Sequence, residues 1–202
     1  MKIYGHPMST CTRKVLATLE ENGTPYELVL VDLMTGAHKQ PEHTARQPWG
    51  KVPTLDDDGF TMYESRAMCR YVNDKYNGKL VPGDVRARAV MDQWTSVEHS
   101  YFTTPTMKHV FHVVFKSPQE QASLDAAVKE LEHTLPVLDA HLAKHTYFAG
   151  DEFSLADINY MPYVEYGMLT AVKDVYTKHA SFMAWWNRVS ERAAWRKVAG
   201  RT

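Results

Sequence analysis

Two architectures follow one another in this chain of 202 residues. An α/β domain is predicted over residues 1–76, a linker over 77–84 and an all-helical domain over 85–202. Three observations carry this reading. A strand, a helix and a second strand fit within the first 31 residues, which is a βαβ unit with its two strands parallel. A hairpin signal follows over residues 51–63. Beyond residue 85 apolar residues recur at helical spacing, with no strand pattern among them.

Lys2-Ile3-Tyr4 form a strand that Gly5-His6-Pro7 ends. Residues 10–22 read as a helix because Val15, Leu16 and Leu19 share a face. Gly23 stops it, and Thr24-Pro25 opens a second extended run over 26–31. Residues 32–50 are polar and turn-rich, with Gly36, Pro41, Pro48 and Gly50, and hold a short irregular helix at most. Lys51-Val52-Pro53-Thr54-Leu55 and Phe60-Thr61-Met62-Tyr63 flank the turn Asp56-Asp57-Asp58-Gly59. Glu64-Ser65 then opens a helix that runs to residue 76.

In the second domain, residues 85–115 read as one long helix or two stacked ones, with Pro105 as the break. Leu124, Val128, Leu131, Leu135, Leu138 and Leu142 form an amphipathic stripe at four-three spacing, in which Pro136 should kink the helix. Helices over 155–171 and 181–195 complete the set, and Trp185, Trp186, Val189 and Trp195 make the last one an aromatic packer. Ser154 and Asp157 have capping-box spacing, with Phe153 and Ile158 as the hydrophobic staple.

Composition excludes several functions. The formal net charge is -1, from 23 basic and 24 acidic residues, so no nucleic-acid partner is expected. No apolar run approaches the ~20 residues of a membrane span, so no membrane partner is expected either. The first seven residues are too few and too polar for a secretory signal. Cys11 and Cys69 give no disulfide framework and read as reduced thiols of a cytoplasmic protein. His109 and His112 have no carboxylate or thiol at metal-site spacing, so no metal is expected. No phosphate loop, dinucleotide glycine signature or nucleophile elbow occurs.

Three junctions can carry chemistry. Pro53 enters a strand, where it removes a ladder donor. A cis Val52-Pro53 bond would turn the Val52 amide and carbonyl outward as a docking edge; an ordinary trans edge proline is the alternative. Tyr63-Glu64-Ser65-Arg66 opens a helix whose free amides attract carboxylates, or Ser65 is a plain cap. Ser9-Thr10-Cys11-Thr12-Arg13 enters the first helix, where the dipole favours a thiolate. Ser9 is there either a hydroxyl donor to a ligand or a helix cap, and Cys11 either a reactive thiol or a buried helix residue. Phe102, Met107, Phe111, Val114 and Phe115 form an apolar band that is core, with one or two members free to line a ligand site.

Together, Gly5-His6-Pro7-Met8-Ser9-Thr10-Cys11-Thr12-Arg13, Gly36-Ala37-His38-Lys39, Pro48-Trp49-Gly50-Lys51-Val52-Pro53, Glu64-Ser65-Arg66-Ala67 and the segment from Phe148 to Ile158 resemble the glutathione transferases, in particular the phi class of plants and its bacterial relatives. The resemblance runs the length of the chain in family order. It implies the glutathione transferase fold, a thioredoxin-like α/β domain followed by an all-α domain that contributes the electrophile pocket. It implies glutathione as co-substrate, small apolar electrophiles as the other substrate, and a homodimer. Ser9 matches the serine that donates to the glutathione sulfur. His38, Lys39 and Lys51 match residues at the glycine end, Val52 and Pro53 those at the cysteinyl backbone, and Glu64 and Ser65 those at the γ-glutamyl end. Met8, Cys11 and Met34, with Phe102, Phe111 and Phe115, are where the electrophile pocket is expected.

The implied reaction is attack of the thiolate on an electrophilic carbon, with peroxide reduction as a companion activity. Cys11 departs from the pattern, because relatives with cysteine chemistry carry it at the serine position itself. A glutathione-dependent thiol reductase using Cys11 is therefore one alternative, and a non-catalytic carrier of apolar ligands another. The chain ends soon after Trp195-Arg196, which leads to the expectation of an open electrophile pocket.

Overall fold

The computed structural model describes residues 1–76 and 78–201. Asn77, the first residue of the predicted linker, and Thr202, the last of the predicted helical domain, lie outside the described residues. The chain forms two compact units, Met1–Leu80 together with Ala193–Thr202, and Val81–Arg192.

The first unit is built on a four-stranded sheet of order β2-β1-β3-β4. Strand β1 (Lys2–Gly5) pairs in parallel with β2 (Glu27–Leu30), as the βαβ spacing requires. Strand β3 (Thr54–Asp57) lies antiparallel to β1, with Ile3 opposite Leu55, and pairs through a hairpin with β4 (Phe60–Tyr63). Asp58 and Gly59 form its two-residue turn with φ of 55° and 92°. Positive φ at both positions is what a turn matched to strand twist demands. The strand expected over 51–55 is shifted: pairing starts only beyond Pro53 and runs on through Asp56 and Asp57, two of the four residues read as turn.

Helices α1 (Thr10–Glu21) and α3 (Ser65–Lys75) pack against each other, and Ile3, Val15, Leu19, Leu55, Met68 and Val72 have no exposed surface. Between β2 and β3 the polar segment holds a single 3-10 turn (Ala37–Lys39) and the one-turn helix α2 (Pro41–Thr44). This is the short irregular helix that the sequence left room for.

The second unit is helical. Asp84 caps α4 (Val85–Val97) by accepting from the amides of Arg86 and Ala87. The break expected at Pro105 is a π turn over Glu98–Thr103, which hands the chain to α5 (Thr104–Val113). Pro105 has no N–H for the carbonyl four residues back. The Thr134 hydroxyl lies 3.3 Å from the Tyr101 carbonyl oxygen and 2.9 Å from that of Glu130, and its one proton serves one of them at a time. Thr134 lies on α6 (Gln121–Leu142), which runs through Pro136 and buries Leu124, Leu131, Leu135, Leu138 and Leu142. Helix α7 (Leu155–Gly167) buries 12 of its 13 residues, so it is a central helix with no polar stripe. Short α8 (Lys173–Tyr176) and α9 (Ala180–Ser190) close the unit.

The capping box forms as predicted. Asp157 accepts from the Ser154 amide at 2.9 Å, the Ser154 hydroxyl at 3.0 Å, the Phe148 amide at 3.1 Å and Trp185 Nε1 at 2.8 Å.

The end of the chain departs from the expected boundaries. The predicted helix over 181–195 is two helices, and α10 (Ala193–Val198) packs on α1 in the first unit. The apolar period runs on through Trp195, so spacing alone does not reveal that the chain changes partners there.

Candidate functional site

The site residues of the first unit are placed by α1, the segment between β2 and β3, and the start of α3. Ser9 is the N-cap of α1, with extended backbone and Oγ accepting from the Thr12 amide at 3.3 Å. That bond uses an oxygen lone pair and leaves the hydroxyl proton free to donate. The approach to Ser9 is fixed by its own amide on the His6 carbonyl at 2.9 Å and by Arg13 Nε on the Pro7 carbonyl at 2.8 Å. Cys11 is half-buried in the first turn of α1. Cys69 is wholly buried on α3, and burial pushes its thiol up to about 11, so it is inert at neutral pH.

His38, Lys39 and Lys51 come together although a dozen residues separate them in sequence. Gly50 lets them do so. Its φ is 57°, and a Cβ there would stand 2.9 Å from the His38 carbonyl oxygen and 2.8 Å from Lys39 Cδ. Lys39 Nζ donates to the Trp49 carbonyl at 3.2 Å. Burial, then the neighbouring Lys39, His43 and Lys51, hold the His38 imidazole below its ordinary value. His38 Nδ1 is buried and has no hydrogen-bond partner among the described residues. The arrangement is a concentration of positive charge suited to a carboxylate.

The Val52-Pro53 bond is cis. Because β3 begins at Thr54, the Val52 amide and carbonyl take no part in the β1–β3 ladder. Glu64 has φ 72° and ψ 100° and lies exposed just ahead of α3, while Ser65, its first residue, is buried. Two residues that sequence reasoning passed over hold the Lys51 peptide from behind. His43 Nε2 lies 2.6 Å from the Lys51 carbonyl oxygen, and Gln47 Oε1 accepts from the Lys51 amide at 3.1 Å. Their four-residue spacing in a segment read as polar loop was the available signal.

The residues expected at an electrophile pocket divide. Met8 is exposed beside Ser9, and Met34 is almost fully exposed in the 32–36 turn. Phe111 is exposed in the helical unit and half-buried Phe115 packs edge-on against Tyr166. Phe102 is a correction. It has no exposed surface, and its ring sits 5.2 Å from Tyr160, 5.7 Å from Tyr176 and 6.1 Å from Phe182. It belongs to the aromatic core, where burial of its full area is worth about 2 kcal/mol. Among the described residues no group of three or more His, Cys, Asp or Glu side chains is placed to hold a metal, and no helix is long and apolar enough to cross a membrane.

Two family models match the chain: the glutathione S-transferase N-terminal domain over residues 1–74 and the C-terminal domain over residues 102–193. Glutathione S-transferase F9 of Arabidopsis thaliana is 36% identical over 213 aligned residues, spanning 100% of this chain and 97% of its own. Among solved structures, glutathione transferase F7 from Populus trichocarpa superposes with a TM-score of 0.93 at 37% identity, covering 100% of this chain and 99% of its own. Glutathione S-transferase I from mais, solved in complex with an atrazine glutathione conjugate, gives a TM-score of 0.90 at 34% identity, covering 99% of this chain and 96% of its own.

Proposed function

The chain belongs to the glutathione S-transferase family, alongside phi-class plant members, and is a glutathione transferase; on that premise we propose that the Ser9 hydroxyl stabilises the glutathione thiolate it uses. One observation carries this reading: Ser9 caps α1 through its oxygen, which leaves its proton to donate at the positive end of the helix.

A free thiol with a pKa near ~8.5 is mostly protonated at pH 7. A donor and a helix dipole at the sulfur favour the anion, and lowering its pKa by about two units corresponds to about 2.7 kcal/mol. Ser9 keeps its proton throughout. The thiolate attacks an electrophilic carbon, forms the S–C bond and expels the leaving group with its electron pair. With a hydroperoxide, the thiolate displaces alkoxide to give a sulfenic acid, which a second glutathione converts to disulfide and water. His38, Lys39 and Lys51 take the glycyl carboxylate, the Val52 backbone beside Pro53 takes the cysteinyl peptide, and Glu64 and Ser65 take the γ-glutamyl end. Met8, Cys11 and Met34 on the first unit are assigned to the electrophile, and Phe111 and Phe115 keep that assignment for the helical unit. A cytoplasmic homodimer acting in detoxification completes the reading, on the strength of the family resemblance.

Replacing Ser9 with glycine tests it. Glycine is nearly as good an N-cap as serine, so α1 keeps its start while the hydroxyl is lost. Ser9→Gly should cut turnover of a chlorinated aromatic by roughly 10²-fold, by analogy with loss of one anion-stabilising donor. The thiolate absorbance of bound glutathione should titrate at higher pH, with binding little changed. Wild-type turnover and an unmoved titration would reject the role given to Ser9.

A further inference from the structure

We propose that His43 and Gln47 are positioning residues for glutathione, acting through the Lys51 peptide on the Val52 edge. The proposal rests on the reading that this edge takes the cysteinyl peptide. His43 and Gln47 stand four residues apart, and the Gln47 amide donates to the His43 carbonyl at 3.0 Å, so the helical turn of α2 continues and both side chains share a face. They retain only 4% and 2% of their exposure. Each meets a different end of one residue: Gln47 Oε1 accepts from the Lys51 amide at 3.1 Å, and His43 Nε2 sits 2.6 Å from the Lys51 carbonyl oxygen.

A carbonyl only accepts, so Nε2 is the protonated nitrogen of His43. The Gly50 amide on the Gln47 carbonyl at 2.9 Å extends the same hold one residue back. The neighbouring Val52 makes no ladder bond, so the sheet does not fix its orientation. The two buried side chains do. Lys51 itself is exposed and lies near His38 and Lys39, so one clamp sets both the docking edge and one of the three residues assigned to the glycyl carboxylate.

The clamp acts on binding rather than on the sulfur, so it predicts a split between KM and kcat. Calorimetric titration with glutathione and steady-state conjugation are compared for wild type, His43→Leu, His43→Gln and Gln47→Leu. His43→Leu and Gln47→Leu should each bind glutathione about tenfold more weakly, the scale of one lost buried hydrogen bond. KM for glutathione should rise in proportion, and kcat at saturating glutathione should stay within about twofold, since uniform binding alone is lost. His43→Gln places an amide N–H where Nε2 stood and should restore wild-type affinity.

Leucine variants with wild-type KM, or with reduced kcat at unchanged KM, would overturn the proposal. Should a leucine variant fail to fold, His43→Asn against His43→Gln decides. Both are polar, but only the longer reaches the Lys51 carbonyl, so equal affinities would reject the clamp. A wild-type chain without saturable glutathione binding removes the functional reading and the clamp together. A wild type that binds, with variants that bind equally, removes the clamp alone.

Discussion

Glu64 occupies a backbone conformation that L-residues rarely adopt, with φ of 72°. Such a residue costs about 1–3 kcal/mol and persists where surrounding structure or function imposes it. Its side chain makes no capping bond to α3, so helix capping does not account for it. The proposed contact with the γ-glutamyl end does. The two effects can be separated because they carry opposite signs. Glu64→Gly should raise the thermal midpoint, since glycine accepts this φ without strain, and should weaken glutathione binding by about tenfold. A variant that is less stable, or one that binds as wild type does, would refute the assignment.

The sequence announces Glu64-Ser65 as a helix start, but not the positive φ. The same holds for His38, Lys39 and Lys51. Their residue types were legible, and their convergence was not, because it depends on Gly50 allowing the 36–40 turn to lie against its backbone. His43 and Gln47 are hard to read for another reason: their four-residue spacing is a single repeat in a one-turn helix, too short to stand out as a period.

Among elements, α10 shows where periodicity stops informing. The hairpin, the βαβ unit and the long helices were legible because turn residues and apolar spacing agree locally. The assignment of α10 to the first unit depends on tertiary partners that no local pattern encodes. Its hold on α1 has two parts. Lys197 Nζ lies 2.8 Å from Glu20 Oε2, and Tyr26 donates to Glu20 Oε1 at 2.8 Å. Lys197 keeps 66% of its side-chain exposure, so this ion pair contributes little, within about 1 kcal/mol. Trp195 has no exposed surface, and truncating so large a buried ring costs about 3–5 kcal/mol. The tryptophan is therefore the anchor. Trp195→Ala should accelerate amide exchange in α1 far more than in α9, although α9 is the nearer element in sequence, whereas Lys197→Met should leave both almost unchanged. Loss of protection centred on α9 would return α10 to the helical unit.

Across the whole molecule the two units carry different acid sensitivities. In the helical unit, burial holds the His109 and His141 imidazoles below their ordinary value, and each ring places Nε2 on a backbone carbonyl at 3.1 Å, that of Leu124 and that of Phe148. The unfolded chain takes up these protons near pH ~6.5, before the folded one does, so the helical unit loses stability as pH falls below that value. In the first unit His38 is held down in the same way, in the turn ahead of α2, whereas where β3 meets α3 the controlling group is a carboxylate. Lys75 first, then the Tyr71 hydroxyl at 2.6 Å, hold Asp57 below its ordinary value. That contribution is complete above the unfolded value near ~3.9 and is lost only as pH falls through the lower folded one. Between pH 7 and 5, amides of α5 and α6 should therefore lose protection, after correction for intrinsic exchange, while those of β3 and α3 hold theirs. Substituting both histidines with glutamine keeps an N–H for each carbonyl and removes the titration, so it should flatten the response of α5 and α6. An equal loss in both units, or one that survives the double substitution, would place the acid sensitivity elsewhere.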